Sequence, residues 1–389
     1  MELQSVLTKY FCDTHNINLN TNYKIEWIKA KELIVPERID LIAKIKYIEN
    51  RDRGLSSSFI NEMYDRHIEA FTLGTYTEAG NSLKNSIDRY RKVFDQLIDR
   101  IKREGFDEKV SVVPVGRNNV ILDGAHRTAI AAYYNLDIPI IRFDGITANY
   151  DSKNFQHRLL DESYLDYMVT EYCKLKDNVY IAICWPRIKG HINVAESIME
   201  MESKIVYRKR LYLNYNGLRN LIIQAYGSHS WIGTYRDKYA GAISQVEGCF
   251  DKEGILHAYV LECEQFEELV KMKKKIRQLY GVGNFSIHSS DNQDETVQLA
   301  NILFNNNSIR FLNYGNPDYD VNLNVKIDIL KERLKENHFS FNNILVDASS
   351  VLGLYGLREV EDLDFITIDE GFEVLEDNEI SNHNDYIEF

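Results

Sequence analysis

Apolar and polar positions follow two periods along this chain, and the changes between them mark its elements. Between positions 39 and 105 the spacing is helical: IDLIAKIKYIENR and NSLKNSIDRYRKVFDQLIDRIKREG place apolar residues three and four apart, giving one stripe for burial and one face for water. VSVVPV and NVILDG then read as short strands, a helix begins at Ala125, and IPIIRF is a further strand. From Thr147 to Lys176 the pattern turns polar, rich in Asp, Asn and Tyr, and predicts a helical connector. Strands resume with NVYIAICWP, IVYRKRLYL and ILHAYVLEC, separated by the helices GLRNLIIQAYG and QFEELVKMKKKIRQLYG. DETVQLANILFN closes this block as an amphipathic helix with Asp294 and Glu295 in its first turn, where the helix dipole favours acids. After NYGNPDYDVN come a helix (NLNVKIDILKERLKENH), a strand (NILVDAS), a helix (SVLGLYGL) and the strands DLDFITID and FEVLED.

The expected fold class is α/β and α+β in several domains: 1–146 with a helical insertion, a connector at 147–176, a second domain at 177–314, and a short third one at 320–389. No internal repeat or low-complexity stretch interrupts them, and 5 Pro in 389 residues leave no long Pro-rich linker, so the joints are tight. Composition narrows the functions. An apolar share of 44% is enough for several cores, while 46 Lys+Arg against 59 Asp+Glu leave a net charge of −13. That balance makes nucleic acid an unlikely partner, because phosphate neutralisation needs a surplus of cations on one face. Cys12, Cys173, Cys184, Cys249 and Cys263 form no CxxC pair and no His/Cys cluster, so neither a disulfide framework nor a structural zinc site is expected, and a reducing cytoplasm fits. The N-terminal stretch lacks a basic segment followed by an apolar one, and nowhere do 18 apolar residues run together. The chain is therefore expected to be neither secreted by that route nor membrane-spanning.

Chemistry concentrates in three places. In VPVGRNNVILDGAHRTAIAAYYNLDIPIIRF a strand ends at Asp123 and Gly124, and a helix follows at once. Gly permits close backbone approach, and the free N–H groups of the new helix, with His126 and Arg127, make an anion pocket suited to phosphate. The plainer alternative is a helix cap at Asp123 and a surface ion pair at Arg127. DGAHR and the TAIAAYYNLDIPI after it resemble the ParB/sulfiredoxin-like superfamily, which includes ParB partition proteins, sulfiredoxin and free-serine kinases. That resemblance implies a nucleotide-phosphate pocket in which Asp123, Gly124 and Arg127 bind and His126 serves the chemistry. It extends to LIVPERIDLIAKI, where Glu37, between Pro36 and Arg38, matches the place of the serine kinases' catalytic Glu; Glu78 in GTYTEAG is a second candidate base. The turn contains no Cys, which disfavours sulfiredoxin chemistry.

The second place is KKKIRQLYGVGNFSIHSSDNQDETVQLA. His288 sits among small hydroxyls ahead of a helix, 11 residues after Arg277. A neutral imidazole is a nucleophile and an Arg clamps phosphate; a capping or loop histidine is the plainer alternative. The block opening with VYIAICWPRI and reaching this segment resembles nucleoside diphosphate kinase. The resemblance implies a ferredoxin-like domain of that type, with His288 as phosphoryl carrier, Ser290 and Asp291 following it as in the family, and Arg277 at nucleotide phosphates. Trp185 stands where the family has the Lys before Pro186, Ser289 replaces the Gly after the His, and Phe285 rather than Asn284 aligns with the family's Asn. Arg187 and Lys189 are the candidate replacements for the missing cation.

The third is NILVDASSVLGLYGLREVEDLDFITID. Asp362 and Asp364 lie two apart, hence on one face of a strand, and a pair of carboxylates there holds a divalent cation. A solvated acidic strand edge is the alternative. The segment resembles the nucleotidyltransferase superfamily, with a small-residue turn, a helix and Asp-apolar-Asp on the next strand. That implies triphosphate binding at Ser349 and Ser350, where Asp347, Ala348 and Ser349 replace the usual Gly-Gly-Ser, Mg2+ at Asp362 and Asp364, and a third carboxylate from Asp385 or Glu388.

Together these features predict a cytoplasmic nucleotide-dependent phosphotransferase of kinase type. Its acceptor would be a small hydroxyl compound such as an amino alcohol, polyol or sugar, and coupled nucleotidyl transfer would make an activated building block of a surface polymer. Asp123, His126 and Arg127 would orient phosphate, Glu37 would deprotonate the alcohol, and His288 would accept the phosphoryl group. The cofactor is Mg2+, the co-substrate a nucleoside tri- or diphosphate, and self-association into a homo-oligomer is compatible with this. The alternatives are a ParB-like, nucleotide-switched DNA-associated protein and a catalytically degenerate nucleotide-sensing module.

Overall fold

The apolar stripe of residues 39–51 winds into a helix, Asp40–Asp52, whose Leu41, Ile42 and Ile48 are fully buried. It belongs to the first of two compact units, Met1–Asp177 and Asn178–Phe389. The structure is a computed structural model that describes residues 6–18, 23–78, 84–109, 111–188, 190 and 192–386; Lys189 and Glu388 lie outside them. It is mixed helix and sheet, as the alternating periods predict, with three small sheets among the described residues.

In chain order the first unit holds α1 (Lys9–Thr14), β1 (Ile25–Lys29), α2 (Asp40–Asp52), α3 (Ser58–Phe71), α4 (Ile87–Glu104), β2 (Val113–Val115), α5 (Ala125–Tyr133), β3 (Asp137–Arg142), α6 (Ser152–His157) and α7 (Glu162–Leu175). The sheet runs β1-β3-β2, with β1 antiparallel and β2 parallel to β3. NVILDG, expected as a strand, makes a single bridge between Ile121 and Val115. Asn118 and Asn119 take left-handed φ angles of 56° and 61° and turn the chain straight back, so pairing ends before Asp123 and Gly124 start α5. The polar stretch at 147–176 forms α6 and α7, whose Phe155, Leu165, Met168, Val169 and Tyr172 are buried within this unit.

The second unit comprises β4 (Val179–Cys184), α8 (Ile192–Glu202), β5 (Lys204–Tyr212), α9 (Tyr215–Tyr226), α10 (Ala242–Cys249), β6 (Ile255–Glu262), α11 (Phe266–Tyr280), β7 (Ile287–Ser289), α12 (Gln293–Leu303), α13 (Asn306–Tyr314), α14 (Val321–Glu336), β8 (Ile344–Val346), α15 (Ala348–Leu354), β9 (Leu363–Thr367) and β10 (Ile380–Asn382). Its larger sheet runs β5-β6-β4-β7 with every neighbour antiparallel. α8 links the first strand to the second and α11 the third to the fourth, a βαββαβ order with α9 and α10 inserted between β5 and β6. Met199, Leu269, Met272 and Ile276 from these two helices close on Ala182, Cys184, Leu261 and Ile287. Residues alternate across the strand, so His288 is directed to the opposite face, paired in register with Ile183.

The smaller sheet runs β10-β9-β8 and is covered by Leu323, Leu330 and Leu334 of α14. FEVLED, expected as a strand, is one 3-10 turn over Phe372–Leu375. Its Phe372 and Leu375 are three apart, so a helical turn packs both on the α14 core, and the strand forms later at β10. No helix among the described residues is long and apolar enough to cross a membrane.

One close approach fixes α9 against α13. A Cβ on Gly217 would lie 2.2 Å from Oδ1 of Asn313, which accepts a hydrogen bond from the Asn214 N–H at 2.8 Å. Gly217→Ala is therefore expected to destabilise by about 1–3 kcal/mol through overpacking, against a gain of only about 1 kcal/mol in helix propensity. A lowered midpoint in urea unfolding checks this.

Candidate functional site

The turn between Ile121 and α5 is built as its composition requires. Gly124 has φ +84°, and the Asp123 carboxylate accepts from the Gly124 N–H at 2.6 Å. A Cβ at Gly124 would lie 2.6 Å from the Arg127 guanidinium, so glycine is what lets Arg127 fold back over the turn. Arg127 reaches the Val112 carbonyl at 3.4 Å and stands 3.9 Å from the Asp123 carboxylate. The two line a cavity of about 250 Å3 together with Thr8 and Ser111. That is below the roughly 300–1,000 Å3 of drug-sized pockets and suits a small anion. His126, one residue earlier, points elsewhere: its Nε2 lies 3.0 Å from the Tyr64 hydroxyl, and its ring packs edge-on to Phe94.

The Glu37–Arg38 segment is brought beside this turn, because the Arg38 guanidinium donates to the Ile121 carbonyl at 2.6 Å. Behind it lies a buried charge cluster. Asp40 accepts from Arg38 at 2.8 and 2.9 Å and from Lys44 at 2.7 Å, and the Lys44 ammonium donates onward to His67 Nε2 at 3.0 Å. Burial alone would raise the Asp40 carboxyl; Arg38 and Lys44 outweigh it and hold the group well below the usual carboxylate range. Burial, with Lys44 beside it, pushes His67 far down, and His126 is lowered by burial and by Lys84 and Lys44, so both imidazoles are neutral. Glu78, the second candidate base, forms an ion pair with Lys84 at 2.6 Å.

In the second unit His288 and Asp291 stand at the end of β7, and Arg277 of α11 acts electrostatically on Tyr226, the ring that packs on His288. His288 Nε2 lies 2.9 Å from the Glu295 carboxylate, whose other oxygen accepts the Asp291 N–H at 2.8 Å. Tyr226 packs edge-on to His288 with ring centres 4.8 Å apart, and Trp185 lies 6.2 Å away. Burial, with Cys249 nearby, pushes the Tyr226 phenol up against the opposing pull of Arg277. The Arg277 Nε and the Trp185 indole N–H are buried without a hydrogen-bond partner among the described residues. Ser290 is used structurally: its hydroxyl accepts from the Ile181 N–H at 2.9 Å and lies 2.7 Å from the Thr296 hydroxyl. Asp291 pairs with Lys273 at 3.2 Å.

Near the C-terminus, Asp364 is buried and accepts from Ser381 at 3.1 Å and from His383 at 3.2 Å. Asp347 stands 3.5 Å from the other nitrogen of His383. Asp362 precedes β9 and is exposed, as is Asp385. Ser350 is fully buried: its hydroxyl accepts from the Asp364 N–H at 2.9 Å and donates to the Asp362 carbonyl at 3.2 Å, fastening α15 to β9. Ser349 is half-buried beside it. Ala348 takes φ +48°, a conformation that favours glycine. Among the described residues no three His, Cys, Asp or Glu side chains are grouped to hold a metal ion.

Three contributors escape a reading by motif. Glu295 is legible only as a first-turn acid, although it lies seven residues after His288 and reaches it through the turn of Asn292. Lys44 and His67 occupy apolar-stripe positions of two helices, and only their full burial reveals them. The cysteines are all buried, and burial pushes Cys173, Cys249 and Cys263 up to about 12, so these thiols stay protonated at neutral pH. Comparison with known proteins finds no family model that matches the chain and no curated protein that matches it.

Asp40→Asn leaves Arg38 and Lys44 without their carboxylate and is expected to cost about 3–5 kcal/mol. The folded carboxyl ionises below the ~3.9 of an unfolded aspartate, so its contribution is present above about pH 4 and drains away as pH falls further. Unfolding measured from pH 7 to pH 3 should show the gap between wild type and variant narrowing at the acid end.

Proposed function

We propose that the protein is a nucleotide-dependent phosphotransferase in which His288 carries the phosphoryl group to a small hydroxyl acceptor. The observation that carries this reading is the hydrogen bond between His288 Nε2 and Glu295 on a βαββαβ sheet. A carboxylate that accepts the Nε2 proton leaves the lone pair on Nδ1, the nitrogen that would attack phosphorus. The P–O bond to the leaving nucleotide breaks as the N–P bond forms; in the second half the acceptor oxygen forms the new O–P bond, the imidazole leaves with the N–P electron pair, and the hydroxyl proton passes to water. The unpaired Nε–H of Arg277 is a donor for the nucleotide's phosphate oxygens. The strand order and the place of His288 on β7 support the resemblance to nucleoside diphosphate kinase.

The Asp123–Arg127 turn, with its small cavity, supports a second phosphate site in the first unit, with Glu37 and Glu78 as candidate bases. Asp362 and Asp364 are the pair that would hold Mg2+, which would supply charge neutralisation for nucleotide phosphates; Asp364 already accepts from Ser381 and His383 and would have to share those contacts with the ion. Ser350 serves the fold, so Ser349 is the hydroxyl left for a nucleotide there.

A second reading, nucleotide sensing without turnover, is favoured by one observation: the fully buried Trp185 stands near His288 where the resembled kinases have a lysine. Incubation with γ-labelled ATP separates the two. Transfer predicts an acid-labile label absent from His288→Ala and formed about ten- to hundredfold more slowly in Glu295→Gln, the scale of one lost charge-assisted hydrogen bond of about 1.5–3 kcal/mol. Tight ATP binding with no label on wild type would instead establish sensing.

A further inference from the structure

Lys44, His67, His126 and Lys84 converge in the interior of the first unit, brought there by α2, α3, α5 and the segment leading into α4. Among the described residues Asp40 is the one carboxylate paired with both Arg38 and Lys44, so one of these two buried positive charges has no carboxylate of its own there. Lys84 lies over the ring of Tyr90, 5.0 Å from its centre, and the same ring lies 6.3 Å from that of His126. The Tyr90 hydroxyl is buried with no hydrogen-bond partner among the described residues, although an unmet O–H donor in the interior costs about 1–3 kcal/mol. Lys84 is itself paired with the Glu78 carboxylate at 2.6 Å, so three cations (Arg38, Lys44, Lys84) face two carboxylates (Asp40, Glu78) among the described residues. The one positive charge in excess, beside an unused donor, is the complement of an oxyanion, which would share Lys84 with Glu78.

Access is graded in the matching order. Asp40 and His67 are 0% exposed and Lys44 2%, whereas Lys84 and His126 retain 8% and 9%. A guest would meet Lys84 and His126 first and find Lys44 behind them. We propose that Lys84, His126 and the Tyr90 hydroxyl form a seat for a phosphoryl group, with Tyr64 positioning His126 and Lys44 supplying charge from behind. This seat is separate from the Asp123–Arg127 cavity, whose lining includes none of these groups. A phosphoryl dianion is the guest that fits, since its three oxygens accept from an ammonium, an imidazole N–H and a phenol together. The seat rests on the phosphate reading of the first unit and extends it to residues outside the DGAHR motif.

Calorimetric titration of the full chain with inorganic phosphate and with ADP tests it. Phosphate affinity should fall at least about tenfold in Lys84→Met and several-fold in Tyr90→Phe, which removes only the hydroxyl, and should be kept in Lys84→Arg. If phosphate binds equally well to wild type, Lys84→Met and Tyr90→Phe, or is lost only in Arg127→Met, the seat does not exist. ADP binding that Arg127→Met abolishes while Lys84→Met leaves phosphate untouched would sink the seat and keep the nucleotide reading; wild type that binds neither probe would sink both. Competition between ADP and phosphate that vanishes in Lys84→Met identifies the guest as the nucleotide's own phosphate. Independent binding of the two identifies it as the phosphoryl group of a second molecule.

Discussion

A carboxylate with no access to water sets the terms for the first unit. Asp40 can remain ionised there only because Arg38 and Lys44 close on it, and each of those cations is committed elsewhere as well. Arg38 binds the Ile121 carbonyl and so draws the Glu37 segment to the strand end that precedes Gly124. Lys44 binds His67 and so locks α2 to α3. The apolar packing around them would tolerate many arrangements, but two cations sharing one buried carboxylate tolerate few. The position of the Asp123–Gly124 turn relative to Glu37 follows from that cluster.

The same demand, that interior polar groups find partners, separates side chains consumed by the fold of the second unit from those with hydrogen-bonding capacity to spare. Ser290, Thr296 and Ser350 spend their hydroxyls fastening one element to another. Asp320 caps α14 through one oxygen and accepts the Val360 N–H through the other. Arg277 differs, because its Nε–H is left without a partner among the described residues. Tyr90 in the first unit differs in the same way. Unspent capacity beside a site is a stronger pointer to a ligand than membership of a motif, since structural side chains are consumed by their own contacts.

Much of the fold was legible because burial imposes a period. The stripes at 39–51 and 266–280 became α2 and α11, and the strands β4, β5, β6 and β9 stand where alternation or a continuous apolar run put them. The misses share a cause. NVILDG and FEVLED are too short for period alone to separate strand from turn, and backbone conformation at Asn118, Asn119 and Gly371 decided them. The stretch at 147–176 is helical as its pattern predicts, and part of its buried face is Tyr164 and Tyr172, whose rings are apolar though their tips are not.

The sequence by itself determined the mixed helix-and-sheet class, the helix that follows Gly124, and which imidazoles and carboxylates stand beside glycine or serine turns. Those properties depend on neighbours within a few residues, where propensity and spacing act directly. Only the tertiary structure decided that Glu295 meets His288, that Ser290 and Ser350 serve the backbone, and that Lys44, Lys84 and His126 share one interior. Each of those facts depends on which groups lose water together. Desolvation is set by the packing of elements distant in the chain, so no local pattern encodes it.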